Sequence, residues 1–264
     1  MKEIRLQAHR GVASEYPENT ITAFKASIDQ GYKIIELDTK YTKDNVCVIL
    51  HDRTLNRTAR TADGEKLADE TKIADVTLEE ARALDYGLWM GEKFKGEKIP
   101  TLDELLEFIG KYDMPYKFDN VWESFTDWQK NDFLSKLANA KLGKRIGITC
   151  RSLDGLRMAV NALDKDAEIH WDSDLDEATL AEVAEIAKGH RLTIWACYPG
   201  ENSPWFKKER ASAESVARIR KYGEVGIWIL TTEDQLDRAV LEFGADAIET
   251  TGTIKPDMIK KYEQ

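Results

Sequence analysis

No stretch of this chain approaches the ~20 consecutive apolar residues that a membrane-spanning helix needs, so no integral membrane segment is expected. Cysteine is scarce. The three present, Cys47, Cys150 and Cys197, are far apart, odd in number and without C-x-x-C spacing. A disulfide framework and a cysteine-ligated zinc site are therefore both disfavoured, and a reducing compartment is preferred. Basic charge is in deficit: 38 Lys and Arg face 48 Asp and Glu, for a net charge of −10. A nucleic-acid binder would carry a basic stripe, so that class is set aside. A small anionic substrate remains compatible, because a bound divalent cation inverts the local potential. No G-x-G-x-x-G or Walker-type loop occurs, and nothing indicates a nucleotide, flavin or pyridoxal cofactor. Met1-Lys2-Glu3-Ile4-Arg5-Leu6 enters a strand pattern at once, without a signal peptide. The cytoplasm is the favoured location, although a trimmed export signal would leave the same sequence. Assembly into a homo-oligomer stays open.

What is present is a regular alternation. Strand patterns fall at Ile4–His9, Lys33–Thr39, Tyr116–Asp119, Arg145–Cys150, Ala167–Asp172, Leu192–Cys197, Gly226–Leu230 and Ala245–Glu249. Helical patterns separate them at Thr20–Gln30, Leu102–Lys111, Trp128–Ala140, Leu153–Ala162, Glu177–Lys188, Ala213–Tyr222 and Thr232–Phe243. Such alternation implies parallel strands joined by right-handed crossovers. The 264 residues match a (β/α)8 barrel, typically about 250 residues, so a single domain over 1–264 is expected. Periodicity does not report closure, and an open doubly wound sheet is the alternative. One connection breaks the rhythm: residues 41–99 carry an extra strand-like run, Val46–Leu50, and a long polar stretch. A departure of that length after the second strand suggests a small insertion capping the C-terminal face of the barrel.

Polar residues interrupt the strand ends in a telling way. Glu36 and Asp38 close the run Ile34-Ile35-Glu36-Leu37-Asp38, and residues two apart in a strand share a face. Two carboxylates held so close repel unless one is protonated or a cation bridges them, and a hard divalent metal is the economical answer. His9 and Arg10 end the first strand, His51 ends the Val46–Leu50 run, and Asp119 ends Tyr116-Lys117-Phe118. In a barrel these ends converge on one rim. Metal for phosphate charge, arginine as a fork and histidines for proton transfer together suit phosphodiester cleavage.

The order of these residues resembles the glycerophosphodiester phosphodiesterase family. His9-Arg10-Gly11, Pro17-Glu18-Asn19-Thr20, Glu36-Leu37-Asp38, His51-Asp52-x-Thr54-Leu55-x-Arg57-Thr58 and Ile99-Pro100-Thr101-Leu102-x-Glu104 carry the resemblance. It implies a TIM barrel and a divalent ion, Ca2+ or Mg2+, on Glu36 and Asp38. It also implies His9 and His51 as the acid–base pair and Arg10 as a phosphate contact, on a small phosphodiester substrate. The third strand departs from the pattern. The family's Asn-Ile-Glu-Ile-Lys reads Lys117-Phe118-Asp119-Asn120-Val121, so Asp119 replaces the metal-binding Glu and the phosphate-binding Lys has no counterpart. Lys117 has the parity to face the same lumen and is the candidate substitute. Trp228, in Trp228-Ile229-Leu230-Thr231, is a substrate-side candidate, and the family's final Ile-Thr-Asp reads Ile248-Glu249-Thr250. Two alternatives accompany this reading: a sphingomyelinase D- or lysophospholipase D-like reaction, and a catalytically impaired barrel that binds a phospho-ligand.

Four further features are less decisive. His170 reads as structural rather than rim, and His190 as a helix C-terminal residue. Trp122, Phe125 and Trp128 either line the mouth or pack helices. Pro204-Trp205-Phe206 lies in the long loop after the sixth strand, where it could cover the site.

Overall fold

Each apolar run between the helical patterns becomes a strand, and the strands close on themselves. The computed structural model describes residues 3–200 and 209–263, so Pro204-Trp205-Phe206 falls outside the described residues. The strands are β1 (Arg5–Ala8), β2 (Ile34–Leu37), β3 (Thr39–Tyr41), β4 (Cys47–Ile49), β5 (Tyr116–Phe118), β6 (Ile146–Cys150), β7 (Glu168–Trp171), β8 (Leu192–Cys197), β9 (Glu224–Leu230) and β10 (Ala247–Thr250). The helices are α1 (Ile21–Gln30), α2 (Leu78–Ala83), α3 (Leu102–Ile109), α4 (Asp127–Asn139), α5 (Leu153–Ala162), α6 (Glu177–Ile186), α7 (Ala213–Ile219), α8 (Glu233–Leu241) and α9 (Pro256–Ile259). A closed barrel runs β1-β10-β9-β8-β7-β6-β5-β2, parallel at every pairing. Closure removes every edge of this eight-stranded sheet, which excludes the open sheet.

Helix starts are chemically defined. Thr101 and Glu104 form a capping box at α3, as do Thr126 and Gln129 at α4 and Thr232 and Gln235 at α8. Ile35, Leu37, Tyr116 and Phe118 bury against Phe24, Leu105 and Phe133 in the layer between strands and helices.

The inserted stretch has its own order. β3 follows β2 directly and pairs antiparallel with β4, Thr39 opposite Ile49. This hairpin partner of the Val46–Leu50 run was not anticipated: three residues are too short to show periodicity. Beyond it, Leu50, Leu55, Ala59, Ile73, Ala81, Tyr86 and Ile99 form a second, smaller core.

The barrel lumen is unusually polar. At its N-terminal end Arg5 donates to Glu168 at 2.7 Å, Thr193 at 2.8 Å and Glu224 at 2.6 Å. Above it the Trp195 indole donates to His170 Nδ1 at 3.0 Å. A Cβ at Gly226 would lie 2.5 Å from the Trp195 ring, so the ring fills the lumen only because that position lacks a side chain. His170 is thus a wall residue far inside the barrel, and His190 Nδ1 pairs with the Ala167 carbonyl at 2.9 Å. Trp122 is fully buried, donates to the Thr149 carbonyl and stacks on Phe133, which makes it a packing residue. Trp128 stays 57% exposed beside Tyr41.

Candidate active site at the C-terminal rim

Parallel strands all end on one side, so whatever follows each strand is gathered into a ring. The ladder continues one residue past several of the strands. His9 N–H donates to the Thr250 carbonyl at 2.9 Å, Asp119 N–H to Leu37 at 3.0 Å and Asp172 N–H to Cys150 at 3.0 Å. These side chains therefore stand on a rigid backbone. A cavity of about 430 Å3 opens among them, lined by His9, Arg10, Glu36, Asp38, His51, Lys117, Asp119, Asn120, Asp172, Trp228, Ile229 and Glu249. A larger cleft, about 600 Å3, lies beside β1, α1 and α9, but no histidine or arginine lines it.

All eight side chains singled out from the sequence border this one cavity. His9 Nε2 sits 3.8 Å from Glu36 Oε2. Arg10 adopts a left-handed backbone (φ 57°), which turns its N–H onto Glu36 Oε2 at 2.9 Å, while its Nε lies 3.3 Å from Asp38 Oδ2. Asn19 donates to Asp38 Oδ2 at 2.9 Å. His51 comes from the segment after β4, and its Nδ1 lies 2.6 Å from Asp52 Oδ1. Asp52 in turn accepts from Arg57 Nε at 2.6 Å, and Arg57 grips Glu18 through both terminal guanidinium nitrogens at 2.6 and 2.7 Å.

Three site residues went unpredicted: Asp172, Glu249 and Asn120. Glu249 faces the lumen from β10, accepts from Gln7 and lies 3.2 Å from Lys117 Nζ. Lys117 also sits 4.2 Å over the Trp195 ring. The signal for Glu249 was present: a carboxylate interrupting an apolar strand run, the same feature that marked Glu36.

Five carboxylates line the cavity against two permanent cations, Arg10 and Lys117. The imbalance is visible in their protonation. Burial, then Asp38 and Glu249, push Glu36 well above the usual carboxylate range. Burial and Asp38 also raise Asp119, and burial lifts Asp172 to about 7. Asp38 stays low because Arg10, His51 and Lys40 outweigh its burial. Burial lowers His9 towards the neutral imidazole. An excess of buried oxygen donors is what a hard cation relieves, so the donor set fits a divalent ion. The fit is one of charge and chemistry: among the described residues no group of three His, Cys, Asp or Glu side chains is already arranged to hold a metal.

The sequence matches the model of the "Glycerophosphoryl diester phosphodiesterase family" over residues 9–250. The chain belongs to that family. Among similar proteins, a glycerophosphodiester phosphodiesterase of Caldanaerobacter subterraneus subsp. tengcongensis is 48% identical over 106 residues, 40% of each chain. Glycerophosphodiester phosphodiesterase 1 of Homo sapiens is 33% identical over 114 residues, 42% of this chain and 32% of that one. These matches span well under half the length of each relative. Over the whole fold, the structure resembles a phosphodiesterase of Oleispira antarctica solved with the product sn-glycerol-3-phosphate. The TM-score is 0.72 at 22% identity, covering 98% of this chain and 97% of the other. A glycerophosphoryl diester phosphodiesterase of Parabacteroides distasonis superimposes with TM-score 0.74 at 18% identity, covering 99% and 87%. At such identities the likeness concerns the barrel alone.

Proposed function

We propose that this chain is a metal-dependent glycerophosphodiester phosphodiesterase that releases an alcohol and glycerol phosphate, with His9 and His51 as its acid–base pair. The observation that carries this reading is convergence. Two histidines, an arginine and the carboxylates Glu36, Asp38 and Asp119, drawn from four separate stretches of chain, border one cavity.

Glu36, Asp38 and Asp119 are the proposed holders of a Ca2+ or Mg2+ ion. When bound, the ion would neutralise phosphate oxygens and lower the cost of negative charge at phosphorus. Arg10 presents a guanidinium to the same oxygens. His9 takes the proton of a neighbouring substrate hydroxyl, whose oxygen then attacks phosphorus. As the bond from phosphorus to the leaving alcohol breaks, His51 delivers its proton to that alcohol's oxygen. Water opens the resulting cyclic phosphate, giving a proton to His51, while His9 returns its proton to the ring oxygen released. Asp52 at Nδ1 supports this role for His51, because it orients the ring and leaves Nε2 as the nitrogen for substrate.

Lys117 is proposed to add positive charge beneath the phosphate, in place of the lysine that Val121 lacks. Its pairing with Glu249 means that its charge is shared, so its contribution is smaller than that of a free ammonium. Trp228 is proposed to flank the organic portion of the substrate.

The Asp at position 119 favours a second reading, a lysophospholipase D-like reaction on the same barrel. Only Trp128 and Leu241 are exposed large hydrophobic side chains among the described residues, which is little for a lipid surface. Comparing soluble glycerophosphocholine with micellar lysolipid separates the two. Faster turnover of the soluble diester supports the first reading, and preference for micelles the second.

A further inference from the structure

We infer that Glu18 is a positioning residue: gripped between Arg10 and Arg57, it fixes the acid His51 relative to the phosphate-facing arginine. This inference rests on the phosphodiesterase reading above. The geometry is a continuous chain of charge-assisted bonds. His51 meets Asp52 at 2.6 Å, Asp52 meets Arg57 at 2.6 Å, and Arg57 meets Glu18 at 2.6 and 2.7 Å. Glu18 then accepts from Arg10 Nη1 at 3.0 Å, and the chain ends in an ion-pair contact, without a hydrogen bond, between Arg10 Nε and Asp38 Oδ2 at 3.3 Å.

The two ends of this chain belong to different parts of the fold. Arg10 and Glu18 stand on the loop after β1, whereas His51, Asp52 and Arg57 belong to the insertion, 39 residues from Glu18 at the ionic contact. The loop itself is held by its neighbours. Asn19 takes a left-handed backbone (φ 57°), returns its N–H to the Arg10 carbonyl at 3.0 Å and gives its amide to Asp38. Thr20 caps α1 by accepting from Ala23. Glu18 is the member of this loop that reaches the insertion by an ion pair, and its side chain is only 9% exposed while Arg57 is 43% exposed. A carboxylate can accept from two guanidiniums at once. A glutamine of the same size offers one oxygen and turns an N–H towards an arginine, so it keeps the volume and loses the grip.

Leaving-group dependence provides the test. Glycerophosphocholine must have its alkoxide protonated on leaving, whereas the p-nitrophenyl ester of glycerol phosphate, which carries the same neighbouring hydroxyl, releases a phenolate that needs no acid. Glu18→Gln is expected to lower kcat on glycerophosphocholine about 10²-fold, and on the p-nitrophenyl ester of glycerol phosphate by under about tenfold. Glu18→Asp, which keeps the charge, should recover part of the loss. Added to His51→Ala, Glu18→Gln should cost no more than the under-tenfold share that acts through Arg10. Equal losses on both diesters, or a full further loss in the His51→Ala background, overturn the proposal. An independent readout is the ring-nitrogen NMR of His51, one of four histidines in the chain. In the unaltered protein it should show a single fixed tautomer, and in Glu18→Gln and Arg57→Gln an averaged one; an unchanged tautomer contradicts the positioning role. If the unaltered protein turns over neither diester, the phosphodiesterase reading fails, and the tautomer measurement still decides whether Glu18 positions His51.

Discussion

Lys117 Nζ lies 3.2 Å from Glu249 Oε2 on the floor of the site, and each side chain is no more than 7% exposed. Burial leaves each charge little solvent, so each depends on the other. Lys117→Met should therefore destabilise the fold by about 3–5 kcal/mol in urea titrations, since it strands a buried carboxylate. Lys117→Met combined with Glu249→Gln should recover most of that loss. If Lys117 also serves phosphate, the folded fraction of the single variant should show a raised KM for a diester. Unchanged KM and kcat would confine Lys117 to stability.

His170 should make the fold acid-sensitive. Burial holds its folded pKa at about 3, against an ordinary value of 6.5. The imidazole is neutral in the folded state, and protonation rewards unfolding. Its contribution is complete above about pH 6.5 and is lost progressively as pH falls towards 3. Between pH 6.5 and about pH 5 the loss should be on the order of 2 kcal/mol. Glu168, which burial would raise but His170 and Arg5 draw down to about 2, weakens the fold only below its ordinary value of 4.5. His170→Gln keeps an acceptor for Trp195 and should flatten the slope between pH 7 and 5. An unaltered slope would show that His170 is not the group responsible.

Gly11→Ala should damage the site through the backbone. Gly11 sits at φ +82°, and an added Cβ would meet the Ala23 Cβ at 2.8 Å. The expected cost is about 1–3 kcal/mol of stability, read by thermal melting. A loss of kcat beyond the unfolded fraction should accompany it, because His9 and Arg10 precede this turn.

The distribution of what the sequence disclosed follows from the range of the forces involved. Strand parity put Glu36 and Asp38 on one face, and strand ends put His9, His51 and Asp119 on one rim, because these are local consequences of the chain. The Glu249–Lys117 pair joins residues 132 apart, and its register depends on barrel closure, which periodicity does not contain. The Glu18–Arg57 grip was equally out of reach. Both residues were present in motifs, but exposed-looking polar residues in loops do not announce their partners. The β3 strand was hidden by its brevity. Trp122, next to a functional strand end, suited the mouth and helix packing equally until the stack on Phe133 showed it to be core.

Adding a divalent ion should stabilise the protein if the carboxylate excess is a cation site. Millimolar Ca2+ or Mg2+ should raise the Tm of metal-stripped protein, and Glu36→Gln or Asp38→Asn should abolish the rise. Asp119→Ala should reduce it. A Tm indifferent to every divalent ion, in protein shown to be stripped, would remove the metal from the account.

Metal-dependent catalysis at this rim is read from phosphodiester hydrolysis by metal-stripped protein, with calcium, magnesium, manganese or nothing restored. The substrates are glycerophosphocholine, glycerophosphoethanolamine and bis(p-nitrophenyl) phosphate, and His9→Ala is the control. Activity should return with a divalent ion and disappear in His9→Ala. Silence on all three diesters by protein that demonstrably binds the ion, or turnover that survives His9→Ala, would contradict metal-dependent catalysis at this rim.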